Sequence, residues 1–177
     1  MGLSFEVRAV DVDETPGPGE AAADYVVRLA VAKARAAFPG PNSGAITLGA
    51  DTAVVLDGRI LGKPSDRDDG VEMLLALSGR AHQVLTGVAV HGDEGTRSRC
   101  VAAEVAFRVI EPWEADAYWR TGEGADKAGG YGIQGIGGIF AESVRGSYSA
   151  IVGLPVVETE VLLRNSGLDT WRERIHG

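Results

Sequence analysis

Apolar and polar residues alternate from Phe5 to Val10, the period of a half-covered strand, which runs into the acidic Asp11-Val12-Asp13-Glu14 and then Pro16-Gly17-Pro18-Gly19. From about Glu20 to Phe38 the period lengthens to that of a helix, stopped by Pro39-Gly40-Pro41. Ala22, Tyr25, Val26, Leu29, Ala30, Ala36 and Ala37 form its apolar stripe, with Asp24, Arg28 and Arg35 opposite. Ala45 to Gly49 and Ala53 to Leu56 are strand-like, and Asp57-Gly58 is a hairpin turn into Arg59-Ile60-Leu61. Leu61-Gly62-Lys63-Pro64 is a rigid turn that presents a lysine. Ser65 then caps a helix from Asp66 to about Leu77, with Gly79 as its C-cap. A long strand from Gln83 to Val90 returns through the polar hairpin His91 to Gly95 as a second strand, roughly Arg99 to Val109. Pro112 opens a short helix through Trp119, Ile139 to Val144 is a strand, Val156 to about Asn165 a helix, and Asp169 to Ile175 a peripheral helix.

Several residues do not fit this pattern. Lys33 falls in the middle of the apolar stripe, where it either snorkels along the helix or points into a cleft to meet an anion. Asp51, in Gly49-Ala50-Asp51-Thr52, interrupts an apolar strand run. A carboxylate there is costly to bury unless it is paired, ligates a metal or caps a nearby turn. The run from Asp126 to Gly135 combines an acid, a lysine, the amide of Gln134 and glycines whose backbone can approach a ligand closely. It contains Gly130-x-Gly132-x-x-Gly135, but no apolar strand precedes this segment and no helix follows it, so it is not a dinucleotide fingerprint. His82 and His91 lack partners at ligand spacing and are expected to be ordinary surface residues.

Composition narrows the function classes. The chain has 177 residues, 45% of them hydrophobic and 24% charged, enough for one domain with a sizeable core or for two small lobes that share a sheet. A net charge of -8 at pH 7 argues against a sequence-independent nucleic-acid surface, so phosphates would bind in a pocket. No apolar run is long enough to cross a bilayer and the start does not resemble a secretory signal, so a soluble, cytoplasmic protein is expected. The single cysteine, Cys100, suits a reducing compartment.

Asp13, Glu14, Lys33, Asp51, Lys63, Asp126, Lys127 and Gln134 all lie at element ends or out of pattern. Carboxylates hold a hard divalent cation such as Mg²⁺ or Mn²⁺, lysines neutralise phosphate oxygens, and one carboxylate can take a proton from an attacking water. This set suggests phosphoanhydride hydrolysis. No Walker A lysine motif is present, which excludes a P-loop enzyme.

The same residues lie in ordered motifs: Asp13-Glu14, Tyr25-Val26-Val27-Arg28-Leu29-Ala30 with Lys33-Ala34, Gly49-Ala50-Asp51-Thr52, Leu61-Gly62-Lys63-Pro64, Leu77-Ser78-Gly79-Arg80, Asp126-Lys127-Ala128-Gly129 with Tyr131-Gly132-Ile133-Gln134-Gly135, and Val152-Gly153-Leu154-Pro155. This series, over residues 2 to about 163, resembles the Maf family of nucleoside triphosphate pyrophosphatases. The resemblance implies a single Maf/HAM1-like α/β domain, an elongated mixed sheet flanked by helices, with two lobes and a central cleft. It makes Asp51 the general base, and it puts Glu14 and Lys63 at catalytic positions and Thr52, Lys33, Asp126, Lys127 and Gln134 at substrate-contacting ones. Asp51 and Glu14 would hold the divalent cation. Thr52 and Gln134 match the branch that hydrolyses dTTP and UTP to the monophosphate and pyrophosphate, and modified pyrimidine nucleotides are expected as further substrates. A non-catalytic nucleotide-binding regulator of cell division, or a purine inosine/xanthosine triphosphatase of related fold, is the alternative. The expected partner is a nucleoside triphosphate, with no nucleic acid, no membrane and a homodimer as the candidate assembly. Family members open with a strand and a Ser-x-Ser-Pro-Arg-Arg loop that has no counterpart here, so the resemblance implies a domain lacking that segment.

Overall fold

The computed structural model describes residues 1–176. Its elements run α1 (Ala22–Ala37), β1 (Thr47–Leu56), β2 (Arg59–Leu61), α2 (Arg67–Leu77), β3 (Ala81–Gly92), β4 (Gly95–Phe107), α3 (Pro112–Trp119), β5 (Ala141–Arg145), α4 (Tyr148–Ile151), α5 (Val156–Asn165) and α6 (Thr170–His176). Two short 3-10 turns, Ala128–Gly130 and Ile136–Phe140, lie between α3 and β5. The strands form one sheet in the order β2-β1-β3-β4-β5, with β2 antiparallel to β1 and β5 antiparallel to β4. Helices with this sheet give the expected α/β class. No helix among the described residues is long and apolar enough to cross a membrane.

The chain divides into two compact units. The first takes Met1–Asp51, Thr86–Val101 and the chain from Gly153 onward; the second takes Thr52–Leu85 and Ala102–Val152.

In the first unit the helix α1 lies directly on the backbone of β1 and β3, and glycine makes this possible. A Cβ on Gly49 would stand 2.3 Å from the carbonyl oxygen of Ala30, and one on Gly87 would stand 2.2 Å from that of Val26. No side chain fits at either distance, so only glycine allows the helix this close. The facing residues are correspondingly small, with Ala30, Ala34 and Ala89 forming a fully buried cluster. A second cluster joins Val88 and Val90 of β3 to Leu162 and Leu163 of α5.

The second unit holds the larger core, built on Leu74 and Leu77 of α2, Val105 and Phe107 of β4, Tyr118 of α3, Tyr131 and Phe140. Its aromatic rings pack edge to face, Phe107 on Tyr131 at 4.7 Å and Tyr118 on Phe140 at 5.3 Å between centroids. The turn into β2 has Asp57 at φ 51° and Gly58 at φ 77°, both left-handed, as a two-residue hairpin with the strand twist requires.

Several expectations need correction. Phe5 to Val10 is not a strand: Phe5 and Val7 are 84% and 81% exposed. Alternation makes a strand only where a neighbouring edge supplies the ladder, and among the described residues no strand pairs with this stretch. The cap of α2 is Asp66 rather than Ser65. Asp66 accepts from the Asp69 amide, while the Asp69 carboxylate accepts from the amide of Ser65. Residues 139 and 140 belong to a 3-10 turn, so β5 starts at Ala141. His82 is not a surface residue: it is 3% exposed, packs against Phe107, and its Nε2 lies 2.8 Å from the hydroxyl of Tyr131. Burial pulls its pKa down to about 4, so it is neutral at physiological pH.

Candidate active site

The alternation of β1 sets up the candidate site in the first unit. Thr47, Gly49 and Asp51 are spaced by two and share one face of the strand. Thr47 donates its hydroxyl to the carbonyl of Ala34 at 2.7 Å, and Gly49 admits the helix backbone. Asp51 then accepts from the ammonium of Lys33, Nζ to Oδ1, at 2.7 Å. The strand-interrupting acid and the out-of-stripe lysine therefore meet. Asp51 does not break the strand: β1 runs unbroken through it.

Lys33 has a second carboxylate partner. Its Nζ lies 2.7 Å from Oε1 of Glu14, so one ammonium stands between two carboxylates. The side chain of Asp51 is 11% exposed, that of Lys33 24% and that of Glu14 44%, a gradient from strand to solvent. Burial alone would lower the Lys33 pKa. The hydrogen bonds to Asp51 and Glu14 and their negative charges outweigh it, so the ammonium is held above its ordinary value. Beside it the Tyr25 phenol is also raised, first by burial and then by the charges of Asp51 and Glu14.

Glu14 belongs to no helix or strand, yet its backbone is gripped from α1. Arg28 donates Nη1 to the carbonyl of Asp13 at 3.3 Å and Nη2 to that of Thr15 at 3.1 Å, while the hydroxyl of Tyr25 donates to the carbonyl of Glu14 at 2.9 Å. Glu20 holds Arg28 in turn through a two-point pair, 2.7 Å to Nε and 2.8 Å to Nη2. That bond and the amide of Gly17 lower the Glu20 carboxyl to about 2.

The second unit carries the other expected residues. Lys63 is exposed on the turn after β2, and the carbonyl of Gly62 accepts from the amide of Gly129 at 3.0 Å, which ties that turn to the glycine-rich run. Lys127 pairs with Asp126 at 2.7 Å. The Asp126 carboxyl is held below its ordinary value by the Lys127 hydrogen bond and charge, with a smaller contribution from Lys63. Gln134 is exposed, and Thr52, the residue after Asp51, is half-buried.

The run from Asp126 to Gly135 winds around a residue that its pattern does not mark. Glu123 accepts from the amides of Ile136 and Gly137 at 2.8 and 2.9 Å and from the hydroxyl of Tyr118 at 2.8 Å. The amide of Gly132 donates to that hydroxyl at 3.0 Å. A Cβ on Gly135 would stand 2.1 Å from the Glu123 carboxylate, and one on Gly129 would stand 2.9 Å from Val54. Gly129, which also has φ 70°, is thus required by the backbone and close packing within the unit, and a side chain at Gly135 would displace the Glu123 carboxylate. Glu123, Tyr118, Arg28 and Glu20 were not legible as site residues, because what Arg28 and Glu123 grip is largely backbone.

The divalent cation expected at Glu14 and Asp51 would find hard oxygen donors there, one oxygen of each carboxylate being engaged by the Lys33 ammonium at 2.7 Å, and Mg²⁺ is commonly held by one or two carboxylates with substrate phosphates completing its shell. Among the described residues no group of three or more histidine, cysteine, aspartate or glutamate side chains forms a site fully supplied by the protein.

The α1 ammonium of Lys33 between Glu14 and the β1 residue Asp51, and the glycine-rich run from Asp126 to Gly135, follow the motif order set out above. The chain belongs to the Maf family: residues 1–166 match the family described as Maf-like protein. It is 50% identical over 175 residues to the dTTP/UTP pyrophosphatase of Hahella chejuensis, an alignment covering 98% of this chain and 87% of that protein. It is 51% identical over 178 residues to the dTTP/UTP pyrophosphatase of Anaeromyxobacter dehalogenans, covering 98% and 89%. The protein of the same name from Saccharophagus degradans is 49% identical over 176 residues, covering 97% and 83%.

Proposed function

We propose that this chain is a hydrolase of phosphoric anhydrides that cleaves dTTP and UTP to the nucleoside monophosphate and pyrophosphate, limiting incorporation of non-standard nucleotides. The observation that carries this reading is the Lys33 ammonium held at 2.7 Å from both Glu14 and Asp51, in a chain about half identical to proteins named for that activity. In the proposed reaction a water oxygen bonds to the α-phosphorus and the bond from that phosphorus to the bridging oxygen breaks, releasing pyrophosphate. Asp51 takes the proton of the attacking water as general base. Lys33 orients Asp51 and, with Lys63 and Lys127, offsets charge on the phosphates. Thr52, Asp126 and Gln134 contact the substrate, Gln134 from a segment held by Glu123. Glu14 and Asp51 would hold Mg²⁺ or Mn²⁺, which when bound supplies Lewis-acid stabilisation of phosphoryl charge. The proposed setting is the cytoplasm, with no nucleic acid or membrane as partner.

Pyrophosphate release from dTTP, UTP, ITP and XTP, assayed with Mg²⁺ and with Mn²⁺, tests the reading. Faster release from dTTP and UTP than from the purine nucleotides is expected. Preference for ITP or XTP would move the chain to the purine activity, and nucleotide binding without release would make it a non-catalytic regulator.

A further inference from the structure

We propose that Arg28, locked by Glu20 and assisted by Tyr25, is a positioning residue that fixes Glu14 for the reaction; the inference rests on the catalytic reading of Glu14 given above. Residues 13–15 form no helix or strand, so no backbone ladder holds them. Their three successive carbonyls instead accept from two side chains one turn apart on α1, at 3.3, 2.9 and 3.1 Å. A surface arginine with a mobile partner would not hold a loop. Here the guanidinium is itself fixed, because both oxygens of Glu20 face its fork and one of them also accepts from the amide of Gly17 at 2.9 Å. The Glu20 side chain is only 15% exposed, and the guanidinium lies over the Tyr25 ring at 5.5 Å, which joins the two gripping side chains into one unit. The same helix carries Lys33, the partner of the Glu14 carboxylate. Glu14 is therefore held at its backbone and at its side chain from α1, and its distance from Asp51 is set by one rigid element.

Lysine cannot replace this fork, since a single ammonium cannot engage a carboxylate at two points and two carbonyls at once. The test is a double-mutant cycle on dTTP turnover with Arg28→Lys and Glu14→Gln, each variant also checked by thermal melting. Arg28→Lys is expected to lower kcat by up to about 10²-fold, as a misplaced reacting group does, with KM changed less than about twofold. In the Glu14→Gln background the same change is expected to cost little more, because the group it positions is already disabled. Tyr25→Phe, which removes one hydroxyl, serves if Arg28→Lys does not fold, with a smaller loss of kcat that also vanishes in the Glu14→Gln background. Equal losses in both backgrounds would overturn the inference, since Arg28 would then act independently of Glu14. A silent Arg28→Lys beside a disabled Glu14→Gln would overturn this inference alone, whereas full turnover in Glu14→Gln would remove the catalytic assignment of Glu14 and this inference with it.

Discussion

Lys33 with Asp51 and Lys127 with Asp126 make ion pairs of the same length, 2.7 Å, and almost everything else about them differs. The first pair is 24% and 11% exposed and shares its ammonium with a second carboxylate; the second is 42% and 80% exposed and joins adjacent residues on a turn. In water such a pair is worth little, because solvent screens it and both side chains lose freedom to form it. Where water is largely excluded the same attraction is strong, but so is the cost of leaving either partner alone. Distance therefore does not rank these pairs. Exposure does, and it marks the Lys33–Asp51 pair as the place where removing one charge changes the other.

The largest effect on nucleotide affinity is expected from Lys33→Met, which keeps the stem against α1 and deletes the charge. Affinity for a non-hydrolysable dTTP analogue should fall by about 10- to 100-fold, the loss of one charge-assisted hydrogen bond, while the helix remains folded. Equal dissociation constants for the two proteins would reduce Lys33 to a structural counter-ion.

A smaller effect, in the other region, should follow Glu123→Gln. The amide keeps one accepting oxygen where the carboxylate now serves Ile136, Gly137 and Tyr118, so stability should drop by about 1 kcal/mol in thermal melting. KM for dTTP should rise with it, because Gln134 is carried on the released segment. An unchanged melt together with an unchanged KM would show that the loop is held by other contacts.

Asp126→Asn is the smallest. Its pair with Lys127 is exposed enough that the melting temperature should stay essentially unchanged. A loss of stability would contradict the ranking by exposure, and a change confined to KM would mark Asp126 as a substrate contact.

How much of this was legible in the sequence depends on the range of the interaction involved. Local signals held well: the Asp57-Gly58 turn, the helix opened by Pro112 and the helix from Val156 to Asn165 all stand where pattern places them. Lys33 and Asp51 were visible as residues out of period, since a charge in an apolar stripe or strand is a local anomaly. That they meet was not visible. It follows from Gly49 and Gly87, whose missing side chains let α1 approach the sheet, and a glycine in a strand does not announce which helix will lie on it. The strand expected from Phe5 to Val10 failed for a related reason, because alternation is local and strand pairing is not. His82 was misplaced because a buried neutral imidazole leaves no mark in spacing; only its packing on Phe107 and its bond to Tyr131 reveal it.

The central claim is that chemistry is organised at Asp51. It is tested most directly by the steady-state turnover of dTTP by Asp51→Asn, which keeps the volume and removes the proton acceptor. Turnover should fall by about 10²- to 10⁴-fold, the range typical of a general base, with the melting transition still cooperative. A folded Asp51→Asn protein that retains more than about a tenth of the activity would contradict the account, because such a loss lies well below that range.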